Sequence, residues 1–173
     1  MNSSQNESWN YSVRFYNHAE TEKAFLDAQS RLGADVILIL YLFFRAHGGH
    51  RIELDDIKNA ESSVISWRTN VIHPLRKIRR NLKNYPHSLP KDEQARIRLE
   101  IKDLELKTEL FQLKYLEQLE VKGHPAAPND AAQDNIAAYA EILSTVVSDH
   151  AFTKLLNRFS ALQDSKTAPV GPI

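Results

Sequence analysis

The 173-residue chain balances 22 basic against 22 acidic side chains, is 42% apolar and 25% charged, and has no cysteine. That excludes disulfides, a thiol nucleophile and cysteine-ligated zinc or iron–sulfur sites, and it makes attraction to any polyanion a matter of local patterning. The length suits one domain able to bury roughly two-thirds of its unfolded surface.

The opening MNSSQNESWNYS is polar and lacks the basic-then-apolar profile of a secretion signal, so the expected compartment is the cytoplasm. Apolar residues then recur at spacings of three and four, which predicts helices throughout. A first helix is expected over residues 9–17, with Trp9, Val13 and Tyr16 on one side. A second spans 20–32, with Ala24, Phe25, Ala28 and Leu32 facing inward. Gly33 suits a left-handed C-cap, and Asp35 suits the N-cap of the next helix, VILILYLFFRAH.

That third helix is apolar nearly all round and is expected to be central. Its longest apolar run, residues 36–44, is far shorter than the roughly 20 residues a bilayer crossing needs, so no membrane span is expected. The helix ends at Gly48–Gly49. A fourth is expected over 54–64, with Asp55, Asp56 and Glu61 facing water.

WRTNVIHPLRKIRRNLKN, residues 67–84, holds six lysines and arginines and no acid. Pro74 lacks an amide proton and disfavours helical geometry before it, which predicts a kink or break near His73. Projected at about 100° per residue, Trp67, Val71, Leu75, Ile78 and Leu82 cluster within roughly 80°. Arg68, Arg76, Lys77, Arg79, Arg80, Lys83 and His73 occupy the opposite half, and Ile72 is the one apolar intruder.

Two readings of that face compete. In one it is solvated, with Arg68 and Arg79 at its margin pairing with acids among Asp35, Asp55, Asp56, Glu100, Asp103 and Glu105. In the other, Arg68, Arg76, Lys77, Arg79, Arg80 and Lys83 bind phosphates or an acidic partner, with Arg76, Lys77 and Arg80 pointing furthest out. The exposed part carries no aromatic side chain for base stacking.

Residues 85–90, YPHSLP, read as a loop. From 91 to 121 the helical pattern is unbroken, about 46 Å if straight. Ile97, Ile101, Leu104, Phe111 and Tyr115 form one stripe, and Leu99, Leu106, Leu110, Leu113 and Leu116 widen it. So broad a face predicts packing on two sides, as half of a hairpin or in a homodimer seam. GHPAAPND breaks the pattern, closing helices follow over 136–147 and 152–162, and residues 165–173 read as a flexible tail.

No nucleophile elbow, P-loop or dinucleotide fingerprint is present, and HGGH at 47–50 has neither the spacing nor the acidic ligand of a metal site. Neither a cofactor nor a catalytic residue is assigned. Trp9 and Trp67 read as core residues.

Residues 9–83 resemble a small proteobacterial family of helical proteins without an established function. The resemblance rests on Trp9, Ser12 and Tyr16; on Gly33, Asp35, Val36, Leu38 and Leu40; and on Trp67, Arg68, Val71, Pro74, Leu75, Arg76, Arg79, Arg80, Leu82 and Lys83. It implies a bacterial cytosolic protein and a buried pair of Asp35 with Arg68 or Arg79. It also links such proteins to genes for a ribosome-interacting ATPase.

The expectation is an all-α single domain over 1–164, a bundle of about seven or eight helices with one apolar central helix and one long helix. Its expected role is that of a non-enzymatic adaptor holding a protein partner. The alternative is a nucleic-acid or ribosome-associated binder acting through the basic face of residues 68–83.

Overall fold

The computed structural model describes residues 7–83 and 90–167. They form an all-α bundle of α1 (Glu7–Tyr16), α2 (Ala19–Leu32), α3 (Val36–His47), α4 (Leu54–Trp67), α5 (His73–Lys83), α6 (Lys91–Gln118), α7 (Pro128–Ile142) and α8 (His150–Thr167), with two three-residue strands. The strands β1 (His50–Ile52) and β2 (Gly123–Pro125) pair antiparallel, His50 opposite Pro125 and Ile52 opposite Gly123. No helix among the described residues is long and apolar enough to cross a membrane.

The central position of α3 follows from its composition. Ile37 to Phe43 and Ala46 are all buried, and α1, α6 and α7 pack around them. Its start is fixed on both sides by short-range chemistry. Gly33 ends α2 with φ of 69°, a left-handed conformation that costs an L side chain about 1–2 kcal/mol. Asp35 then caps α3, its carboxylate accepting the amides of Ile37 at 2.8 Å and Leu38 at 3.2 Å.

Asn135 on α7 is fully buried and ties the sheet to the centre. Its carbonyl accepts from the Ile52 amide at 2.7 Å, and its NH2 donates to the carbonyls of Leu42 and His50 at 3.3 and 3.2 Å.

Four expectations are corrected. The stretch 54–83 does not break at Pro74; a π-helical segment, Arg68–Ile72, joins α4 directly to α5, and the His73 amide reaches back to the Arg68 carbonyl. A π segment inserts an extra residue per turn and so supplies locally the rotation that a kink would have given. The first closing helix starts at Pro128, preorganised for a first helical position, and buries Ala131 and Ala132. It stops at Ile142, where the last residues of the expected 136–147 run turn out of the helix. Finally, α8 runs through Thr167, into the expected tail; residues 168–173 and the expected loop before Pro90 lie outside the described residues.

Candidate interaction site

Asp35 does more than cap. It is 3% exposed, and its second oxygen accepts from Arg68 Nη1 and from the Gln112 amide, each at 2.7 Å, while its own amide donates to the Tyr139 hydroxyl at 2.8 Å. Arg68 spends the rest of its fork on Glu61, at 3.0 and 2.5 Å. Burial works against the Arg68 cation, but the bonds to Glu61 and the charge of Asp35 outweigh it and hold its pKa above the ordinary value. One guanidinium thus joins the start of α3, the body of α4 and, through Asp35, both α6 and α7. Of the two partners the resemblance implied for Asp35, Arg68 is the one in contact.

Glu61 does not face water as expected: its side chain is 13% exposed. Seven residues before Arg68, it lies two turns back on the same face, a spacing the sequence displayed.

A second cluster sits between α5 and α6. Arg76 donates to Glu105 at 2.8 Å and to Glu109 at 2.6 Å, and Arg79 donates to Glu105 at 2.5 and 3.2 Å. For Glu105, burial raises the pKa, but hydrogen bonds from Arg79 and Arg76 prevail and the carboxyl is held below its ordinary range. Burial has the upper hand at Glu109, whose pKa is raised despite Arg76.

This cluster corrects the wheel projection. Arg76, placed furthest out, has a side chain only 14% exposed and engaged by two carboxylates. The intruder Ile72 is buried. Both follow from the π segment, whose extra residue turns Ile72, and Arg76 one turn later, inward. Three of the six candidate cations, Arg68, Arg76 and Arg79, therefore neutralise internal acids. Lys77, Arg80 and Lys83 remain exposed and form no ion pair among the described residues. With His73 and Arg76, Lys77 and Arg80 line one wall of an open cleft of about 510 Å³, and Gln29 and Ser30 line the other. His73 is pushed below its ordinary pKa by burial and by the Arg76 and Arg68 cations.

The long helix is reversed relative to the usual rule. An amphipathic surface helix turns its apolar stripe inward. Here Glu105, Thr108 and Gln112 are among the buried residues, with Leu113 and Leu116 beside them. The stripe expected to pack is outside: Ile97 is 40% exposed, Leu104 48%, Phe111 56% and Tyr115 40%. Leu99 and Leu106 are exposed on the opposite flank. Trp67 borders the first flank, packing its ring on Phe111 with centroids 4.9 Å apart and donating its indole N–H to the Thr108 carbonyl at 3.2 Å. Ile78 on α5 is also exposed. No residue of α5 is fully buried, and α6 buries nothing before Glu105, so α5 and the first half of α6 form an arm on the core that the second half of α6 enters.

Among the described residues no group of three or more metal-ligating side chains comes together. Of the HGGH pair, His47 hydrogen-bonds Gln163 at 3.0 Å and stacks on Tyr11, while His50 lies in β1.

Fold and site together define an all-α protein in which a buried ion-pair network anchors a two-helix arm to an apolar core. A family model described as "Protein of unknown function (DUF2390)" matches residues 7–116, and the chain belongs to that family. The match includes both ion-pair clusters and most of α6, well past the residues on which the resemblance rested. Comparison with curated proteins and with solved structures returned no significant match.

Proposed function

We propose that this protein is a non-enzymatic helical interaction module that holds a protein partner on the apolar flanks of its α5–α6 arm. The observation that carries this reading is the reversed helix. Ile97, Leu104, Phe111 and Tyr115 leave the core uncontested because the polar side of α6 is committed to Arg76, Arg79 and Asp35. Contiguous exposed apolar surface framed by charge is the usual signature of a protein interface, and aromatic residues are the usual anchors.

The alternative, phosphate or nucleic-acid binding, keeps one supporting observation: the cleft with Lys77 and Arg80 on its wall holds no acid. It loses Arg68, Arg76 and Arg79 to internal pairs, which leaves three cations of the face without an ion pair among the described residues. Duplex binding through three cations would give a log–log salt slope of about −2.7, against almost none for an apolar seam.

The test is affinity capture from a lysate of the source cells, with and without nuclease, across a salt series. The baits are wild type, L104E/F111E, L99E/L106E and K77A/R80A/K83A. Loss of a protein partner with at least one of the two glutamate pairs, indifferent to nuclease and salt, is the expected result. Recovery of nucleic acid that disappears with salt and with the alanine triple variant would overturn the reading.

A further inference from the structure

We propose that the flank bearing Ile97, Leu104 and Phe111 is covered by a second copy of this chain, packed antiparallel about a two-fold axis at Leu104. The inference rests on the reading of the α6 flanks as protein interfaces and names the occupant of one of them.

Two rows on α6 carry it. The apolar row steps by seven through Ile97, Leu104 and Phe111, with Leu104 at its middle, and all three are at least 40% exposed. Residues seven apart lie two turns along one face, the repeat that helix seams use. Beside this row, also stepping by seven, run Glu93, Glu100, Lys107 and Lys114. The charged row is acidic in its first half and basic in its second, and its centre falls between residues 103 and 104. It is therefore the complement of its own reverse. An antiparallel copy turned about Leu104 sets Glu100 against the partner's Lys107 and Glu93 against the partner's Lys114, twice each by symmetry, as an isologous two-fold contact requires.

A parallel copy would align acid with acid and base with base, which such a row disfavours. A foreign partner would need no self-complementary order at all. Lys107 and Lys114 meet no acid among the described residues of their own chain. Glu93 and Glu100 are shared with Arg96 only on the exposed helix surface, where such pairs are weak and exchangeable. The same axis pairs Leu104 with itself and Ile97 with the partner's Phe111, extending the apolar seam along three layers. Trp67, packed on Phe111, borders the seam on one side.

The opposite flank, with Leu99 and Leu106, is left open by this pairing, so a dimer and a foreign partner are compatible.

The full chain is tested by sedimentation equilibrium, where the expected mass is twice the 19.8 kDa of one copy. E100K and K107E, both at exposed positions, each place two like-charged pairs in the seam and should weaken dimerisation roughly tenfold or more. The double variant E100K/K107E restores opposite charges and should recover wild-type affinity. Because the chain has no cysteine, L104C should form an interchain disulfide on mild oxidation. I97C should not do so alone but should when mixed with F111C.

A monomeric wild type without L104C cross-linking overturns the inference. So does a dimer indifferent to the charge variants, or one in which I97C links to itself. If the protein is monomeric yet L104E/F111E still abolishes capture of a foreign protein, only the identity of the occupant is wrong. Loss of both effects sinks the interface reading as well.

Discussion

Arg68 is the residue whose removal the fold should tolerate least. R68M keeps the length and apolar stem of the side chain but removes the cation that faces two carboxylates, Asp35 at 2.7 Å and Glu61 at 2.5 Å. Both acids are largely shielded from water, with side chains 3% and 13% exposed. Deleting one partner of a buried ion pair costs about 3–5 kcal/mol, because the charge left behind is neither solvated nor paired. For a chain of this size 1 kcal/mol moves Tm by about 2–4 °C, so R68M should lower it by about 6–20 °C.

D35N separates the terms. Asparagine caps a helix about as well as aspartate, so the α3 cap survives while the buried charge at position 35 does not. The double variant D35N/R68M should then be more stable than the sum of the single losses predicts, by about 0.5–3 kcal/mol. Urea unfolding followed by circular dichroism measures all four corners of the cycle. A Tm loss below about 3 °C for R68M, or strict additivity in the cycle, would refute the claim that one buried cation holds α3, α4, α6 and α7 together.

The two halves of the basic stretch should behave differently: K77A/R80A/K83A ought to change stability by less than about 0.5 kcal/mol while reducing retention on heparin. R76A, by contrast, should unfold more readily by about 3 kcal/mol, as urea denaturation would show, because Glu105 and Glu109 lose a shared partner. Gly33→Ala should cost about 1 kcal/mol from backbone strain alone, since no atom lies within 4 Å of the added methyl; an unchanged urea midpoint would contradict the left-handed cap. Glu105 has a folded pKa below its unfolded one, so its stabilisation is complete above the ordinary carboxylate range near about 4.3 and is lost as pH falls through the depressed folded value. E105Q should therefore flatten the acid limb of a plot of unfolding free energy against pH, and an unchanged limb would deny Glu105 that role.

What the sequence displayed was whatever acts over one or two turns. Gly33, Asp35 and the uniformly apolar α3 were readable because a cap and a wholly buried helix need no knowledge of distant neighbours. The π segment was not readable. Adding one residue to a turn leaves composition unchanged yet rotates everything after it, which is why the projected wheel put Arg76 outside and Ile72 among the cations. The long helix failed for another reason. Periodicity located one broad apolar face on α6, but which side faces the core was settled by α5, whose arginines pair with Glu105 and Glu109. Asn135 and Tyr139 were missed because single buried polar groups leave no pattern; each is defined only by the backbone atoms and side chains it reaches across the fold.

The orientation of α6 is a choice between two demands that one chain cannot meet together. Rotating the helix to bury Ile97, Leu104 and Phe111 would gain about 1.5–3 kcal/mol for each side chain. The same rotation would pull Glu105 and Glu109 from Arg76 and Arg79 and Gln112 from Asp35, and each broken buried charge pair costs about 3–5 kcal/mol. The three arginine–glutamate pairs, together about 9–15 kcal/mol, outweigh an apolar gain of about 4.5–9 kcal/mol, so α6 keeps its charged side inward, and within a monomer neither orientation satisfies both sides of the helix. A partner on the outer flank removes the conflict: the ion pairs stay closed on the inside while the isoleucine, leucine and phenylalanine leave water on the outside. The buried network thus holds α6 in the one rotation that leaves its apolar row on the outside, and the proposed interface depends on that rotation.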